Sequence, residues 1–409
     1  LILSYASAST STVDVADGAA LSATGAVEVA HGSGTTATLT LRNTSSTYFG
    51  STLAVGGSNG SSGSLGLQDN AVLTVKGATI YVGNNSGTGQ LSVAGGTLLA
   101  TNTSLYFAGS AGSGVFSGGQ TAFKTLEVSP SINGQTNTLL ITGGNHQVVN
   151  ADTSASGMIV GNGARTGLLD MRNGVLTVTR LLRIGYGTTG SSALPCVRLS
   201  GGQLAVVPNA GNENVVNVAD NTDSRGRIEL TGGTLKAQAV RGWNGSQRRG
   251  GTGWTEFYAD GGTLVATNVS SSKALLETFD KAELGSTGLV VNSDGADVVV
   301  NQSFTDASGA SGLFLKTGAG LLSASNSVHA QTVIAQGGLK LLNASATFGR
   351  SLVITNQSTL SLSGTATNLT VGDLALGSPN AMTLLTLDAG DTITVTNTGP
   401  SSATNVRVT

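Results

Sequence analysis

LSVAGGTL from Leu91 to Leu98, VRLSGGQL from Val197 to Leu204, IELTGGTL from Ile228 to Leu235 and FYADGGTL from Phe257 to Leu264 are four versions of one unit. In each, an alternating strand runs into a Gly-Gly pair and a second short strand follows. Weaker versions are VFSGGQTAF from Val115, LLITGGNHQVV from Leu139 and LDMRNGVLTV from Leu169, where Asn173-Gly174 replaces the pair. The pairs begin at Gly95, Gly118, Gly143, Asn173, Gly201, Gly232 and Gly261, at spacings of 23, 25, 30, 28, 31 and 29 residues. Alternation of period two turns one face of each strand inward. Glycine at a corner supplies backbone conformations that other residues reach only at a cost.

A second element lies between the pairs: IYVGNNSGTGQ from Ile80, LYFAGSAGSGV from Leu105, MIVGNGARTGL from Met158 and LRIGYGTTG from Leu182. Each is a short apolar strand, then Gly, then a polar turn. One repeat therefore holds two or three strands of three to five residues. Such a unit cannot bury its own apolar face, but stacked units share one continuous narrow core. Each strand then pairs in parallel with its equivalent in the next coil, about 4.8 Å away. At about 25 residues per coil the chain makes roughly 16 coils. Leu, Val, Ile and Ala are expected inside, with Thr, Ser and Asn stacked outside or at corners. The expected fold is all-β, a parallel β-helix. An antiparallel sandwich also uses short strands and frequent turns, but the recurring Gly-Gly neighbourhood and the scarcity of Pro disfavour it.

Composition agrees. Of 409 residues, 60 are Gly, 47 Ser, 53 Thr and 28 Asn, and only 10% are charged. Such a chain is poor in helix formers, which disfavours helical bundles, coiled coils and ordinary α/β enzymes. A hydrophobic content of 39% and a net charge of −2 disfavour disorder. No apolar run is long enough for a membrane span. With 20 Lys+Arg against 22 Asp+Glu there is no basic face for nucleic acid. The lone Cys196 forms no intrachain disulfide framework and suits a secreted protein that avoids cysteine. The chain opens at Leu1 without a charged leader and reads as processed or as a fragment. Leu1-Ile2-Leu3 is either a remnant of an export signal or a short first strand.

LKTGAGLLSASNSVHAQTVIAQGGLKLLN from Leu315 to Asn343, together with the strand-Gly-Gly-Thr-Leu units, resembles the autotransporter-associated β-strand repeat. Lys316, Thr317, Gly318, Gly320, Leu321, Thr332, Val333, Gly337, Gly338, Leu339 and Leu341 fit its pattern. Asn326 to Ala330 departs from it, because the usual Asn-x-aromatic-x-Gly turn is missing. The resemblance covers about 70–360. It implies a right-handed parallel β-helix, as the crossover rule also favours, and export to the cell surface. It implies no particular activity. AGDTITVTNTGPSSATNVRVT from Ala389 to Thr409 is similar to the edge of Ig-like bacterial surface repeats, through Asn397, Gly399, Pro400, Ala403, Asn405 and Val406. It is expected to form a short non-solenoid C-terminal hairpin. This hairpin caps the stack, adds to a neighbour's sheet, or belongs to a parent chain continuing past Thr409.

Residues 1–70 are read as N-terminal coils or a cap, 71–380 as the β-helix, and 381–409 as terminal strands. RGWNGSQRRGGTGW (241–254) interrupts the array as an outward loop, and a short helical turn is expected around Lys273–Leu284.

Chemistry is sparse. Asp220, Asp223, Arg225, Arg227, Glu229, Glu256 and Asp260 are the candidates for a carbohydrate-cleaving cluster, weighed against solvated charges. Trp243, Arg248, Arg249 and Trp254 are candidate ligand contacts for a glycan or an anionic polymer. His31, His146 and His329 stand too far apart in sequence for a zinc set. Asp220-Asn221-Thr222-Asp223 is oxygen-rich but lacks the calcium nonapeptide. Gly83–Gly89 lacks the Lys-Ser/Thr of a phosphate loop. No cofactor, no catalysis and no nucleic-acid partner are expected. The leading expectation is an extracellular structural protein that self-associates end to end, with Leu1, Ile2, Leu3, Val406 and Val408 at the assembly ends. The alternatives are a surface adhesin that binds a glycan through 241–254, and a polysaccharide-degrading enzyme.

Overall fold

The computed structural model describes all residues except 58–59, 130–134, 151–155, 164, 188–192, 210–213, 221–222, 243–252, 268–273, 326–327, 329, 343–344, 356–357, 363–366, 378–382, 389, 397–401, 404–405 and 409; at 345, 402–403 and 406–408 only the backbone is described. Among the described residues there is no helix, so none is long and apolar enough to cross a membrane. The strands stack in parallel as a β-solenoid. The chain divides into two units, one of 1–228 with 243–254, the other of 229–242 with 255–409.

In the first unit each turn has three sides. Side one carries Thr10–Val15, Thr36–Leu41, Ser62–Leu67, Thr88–Val93 and Ala111–Phe116, then 138–141, 168–171 and Cys196–Leu199, each paired in parallel with the one before. Side two runs from Ala20–Ala23 through Ser46–Phe49 and Val72–Val75 to Gln203–Val207. Side three runs from Ile2–Leu3 through Val27–Val29 to Val215–Val218. The strands form because apolar residues alternate: Leu39, Leu65, Leu91 and Leu139 sit on one inward row with no exposure, while Thr38, Ser64, Gln90 and Thr138 face outward.

The core is not made of small residues alone. All nine phenylalanines of the chain are buried. One inward position explains how a thin core holds them. Gly114 occupies the row of Leu91 and Leu139, and a Cβ there would lie 2.5 Å from the Phe107 ring. The missing side chain is the space the ring fills.

The second unit repeats the three-sided plan. Thr234–Ala237, Gly262–Ala266, Leu289–Asn292, Leu313–Thr317 and Gln331–Ile334 follow one another on side two. Ala274–Glu277, Val298–Asn301, Leu321–Ala324, Gly338–Leu341, Thr359–Leu362 and Thr383–Thr386 follow on side three. Side one is weaker, shrinking to Thr305–Asp306 in one turn and to isolated bridges through Val328 in the next. Among the described residues there are about 13 turns, against the roughly 16 expected.

Two local expectations are corrected. The terminal hairpin does not form. Thr392–Val395 lies parallel to 368–371, Ser402–Ala403 to 375–376 and Val406–Val408 to 383–385. Asp391 helps to seat this turn, because its carboxylate accepts hydrogen bonds from the Thr367 N–H at 2.7 Å and the Asp388 N–H at 2.7 Å. Among the described residues of 273–284, which are 274–284, no helical turn forms either. Ala274–Glu277 and Lys281–Leu284 are strands, whose Leu275, Leu276, Ala282 and Leu284 are buried. Core burial overrides the helix preference of the Ala, Leu, Glu and Lys residues there.

Candidate functional site

Trp243, Arg248 and Arg249 lie outside the described residues. Trp254 opens the strand Trp254–Ala259 with 37% of its surface exposed, and its N–H donates to the Ser224 carbonyl. The candidate binding loop is thus located only at its two ends, Arg241 and Trp254. Arg241 is committed to an ion pair with Glu277 at 3.0 Å.

The candidate carboxylates are distributed over several strands and turns. Asp220 is buried and paired with Arg183, whose guanidinium also lies 4.6 Å from the centre of the Tyr186 ring. Asp223 occupies a turn at φ 64°. Arg225, Arg227 and Glu229 take the half-buried outward positions of Arg225–Leu230. Glu256 faces Lys281 in register on the next strand. Asp260 accepts from the Thr287 N–H at 2.7 Å and the Tyr258 hydroxyl at 3.3 Å, and so holds the corner of the following turn.

His31 lies near the beginning of the stack, with its ring parallel to Tyr5 at 5.4 Å and its Nδ1 on Glu28. His146 is in the core. Its Nε2–H donates to the Gly143 carbonyl at 2.8 Å, and Nδ1 accepts from the Thr121 hydroxyl at 3.2 Å. Burial holds its pKa below the ordinary 6.5, only partly opposed by the Gly143 bond. His329 lies outside the described residues. Among the described residues no three His, Cys, Asp or Glu side chains converge as a metal site.

Leu1 and Ile2 are 45% and 47% exposed, whereas Leu3 is buried. Ile2–Leu3 pairs with 28–29, and Val406–Val408 pairs with 383–385. The backbone therefore puts the five expected end residues on side three of the first and last turns.

Two polar residues stand out that the sequence reading did not single out for chemistry. Glu127 faces outward on side three, in register with Tyr106, which stacks on Tyr81 at 5.7 Å. Burial pushes its carboxyl pKa up, against a hydrogen bond from the Asn162 amide at 3.2 Å and the nearby Arg165 charge. Lys316 is fully buried, on the inward row between Val291 and Ile334. Its ammonium donates to the Ser293 hydroxyl at 3.1 Å, to the Gly318 and Gly320 carbonyls, and to the Gln336 carbonyl at 3.2 Å. Burial lowers its pKa to about 8, partly countered by Asp297. The signal was in the alternation of LFLKT, where Phe314 and Lys316 share a phase. Comparison with known protein families, curated proteins and solved structures gives no match for this chain.

Proposed function

We propose that this chain is an extracellular structural protein whose coil stacks join end to end into a cell-surface or matrix fibre. The supporting observation is the state of its two terminal turns. Among the described residues of 1–409, Thr10–Val15, Ala20–Ala23 and Ile2–Leu3 each have a parallel partner on one edge only, and so do Thr392–Val395, Ser402–Ala403 and Val406–Val408. Inward side chains there are incompletely covered. Val13 and Leu21 are half-buried, while Leu39, one turn on, has no exposure. Ile393 is half-buried and Val395 is 37% exposed, while their partners Leu369 and Val371 have none. An open sheet edge beside apolar surface is a template for another strand. Within each unit the three sides come in the same order and all strands are parallel, which suits head-to-tail addition of identical copies. The autotransporter-repeat pattern of 315–343 and the single cysteine support an exported protein.

The test is negative-stain microscopy of the 409-residue chain beside chains lacking 1–12 or 389–409. Fibres are expected from the first alone. Identical fibres from either shortened chain would refute end-to-end addition.

A further inference from the structure

Lysine is the wrong residue for an inward position of a thin apolar core, and a buried ammonium is costly unless fully bonded. Lys316 persists there because three backbone carbonyls and the Ser293 hydroxyl converge on one point. The corner between sides two and three passes through 293–297 in one turn, 318–320 in the next and 335–337 in the one after. The ammonium takes Ser293 from the first, Gly318 and Gly320 from the second and Gln336 from the third.

The corner backbones are also packed against each other. A Cβ on Gly320 would lie 1.8 Å from the Ala296 carbonyl oxygen, and one on Gly337 would lie 2.2 Å from the Gly320 oxygen. No side chain can enter from a corner glycine, so a donor for these carbonyls must arrive along the core. Gly318 at φ 82° and Gly337 at φ 75° hold the bend, and the Gln336 side chain accepts from the Gly318 N–H at 3.0 Å. At the same corner in the first unit, Thr103 has a smaller task. Its buried hydroxyl is shared between the Val75 carbonyl at 3.1 Å and the Gly77 carbonyl at 2.6 Å. A hydroxyl has one hydrogen to give and an ammonium three.

We infer that Lys316 is a built-in structural cation: its ammonium occupies an oxygen cage spanning three successive turns, and it locks those turns as a bound metal ion would. The four-carbon stem supplies the apolar contact expected between Val291 and Ile334, and the head supplies the charge. Removing the charge leaves buried carbonyls without donors and releases 289–341 as one segment.

Lys316→Met keeps the stem and deletes the ammonium, and Lys316→Ala opens the cage to solutes. Stability is read by urea unfolding, and local opening by hydrogen exchange. In Lys316→Met the unfolding equilibrium constant is expected to rise about a hundredfold or more, from lost bonds to a charged donor. Extra exchange should be concentrated in 289–341. Lys316→Ala should regain stability with propylammonium and not with 1-propanol. Unfolding of Lys316→Met at the native midpoint would overturn the inference. If Lys316→Met does not fold, refolding of Lys316→Ala decides: recovery with the amine alone supports the cage, and recovery with both solutes or neither refutes it.

Discussion

Asp17, Asn43 and Asp69 turn the chain from side one to side two in the first three coils. Gly96, Gly119, Gly144, Gly174 and Gly202 turn it there in the next five. All eight have positive φ, between 53° and 85°. The early corners are four-residue turns, closed by hydrogen bonds from Ala19 to Ala16, Ser45 to Arg42 and Ala71 to Gln68. Their side chains link successive coils: the Asn43 amide donates to Asp17, and the Asn43 N–H to Asp69 at 3.3 Å. The glycine corners are one residue shorter and stack backbone on backbone. Gln120 N–H bonds the Gly96 carbonyl at 2.9 Å, and Asn145 N–H bonds Gly119 at 3.0 Å. The register records the change. Leu65 pairs with Leu91, 26 residues on, but Leu73 pairs with Leu98, only 25 on. One conformational need thus has two solutions. Asp and Asn tolerate the left-handed region where the turn is roomy, and Gly alone serves where the preceding coil's carbonyl takes the space of a Cβ.

The sharpest break in that comparison is Gly119→Ala. A Cβ there would lie 2.4 Å from the Gly96 oxygen, the same carbonyl that receives the Gln120 N–H. Left-handed backbone costs an alanine about 1–2 kcal/mol. Relief of the clash must move two hydrogen-bonded coils, for a total loss of about 3–5 kcal/mol by urea unfolding. A loss below about 1 kcal/mol would show that the glycine stack relaxes freely.

A smaller effect tests what the glycine corner receives from the core. The Gly143 carbonyl accepts from His146, on the inward row with Leu98, Thr121 and Leu176 and 4.9 Å from the Phe116 ring. The Nε2–H that makes this bond is present in either charge state, but only the neutral ring leaves Nδ1 free to accept from Thr121. Burial holds the folded pKa below 6.5. Above 6.5 the ring is neutral in both states. As pH falls below 6.5 the unfolded chain takes a proton that the native core resists, so stability declines with acidification. In His146→Leu the unfolding midpoint should vary less with pH between about pH 7 and pH 5. An unchanged slope would place the acid sensitivity elsewhere.

The two kinds of corner were not equally legible. A Gly-Gly pair bracketed by alternating residues repeats its own letters, so the array from Leu91 to Leu264 could be read directly. Asp17, Asn43 and Asp69 share a conformation without a repeated neighbourhood of residues, and 1–70 was legible only through strand alternation. The C-terminal stretch misled for a related reason. Asn, Gly and Pro announce a turn locally but do not say which strand is the partner, and for 392–395 that strand lies 24 residues upstream. Lys316 was read as a letter of the repeat. Its role depends on oxygens from three turns, which no single repeat contains. The candidate binding residues Trp243, Arg248 and Arg249 rested on residue type alone, without periodicity to position them.

The finest probe is Asn43, because glycine and alanine there should separate conformation from side-chain bonding. Asn43→Gly loses the amide bond to Asp17 but keeps the backbone at φ 57° without strain. The lost bond is exposed, and the expected change is within about 0.5–1 kcal/mol. Asn43→Ala loses the same bond and adds the left-handed cost, so it should fall below the glycine variant by about 1 kcal/mol. The difference between the two variants cancels the bond to Asp17 and isolates the backbone preference. The same subtraction is impossible at Gly119, where strain and collision arrive together. If Asn43→Gly and Asn43→Ala unfold at one urea concentration, the early corner is set by the turn's hydrogen bond from Ser45 to Arg42 rather than by the residue at its bend. The two corner types would then differ in packing alone.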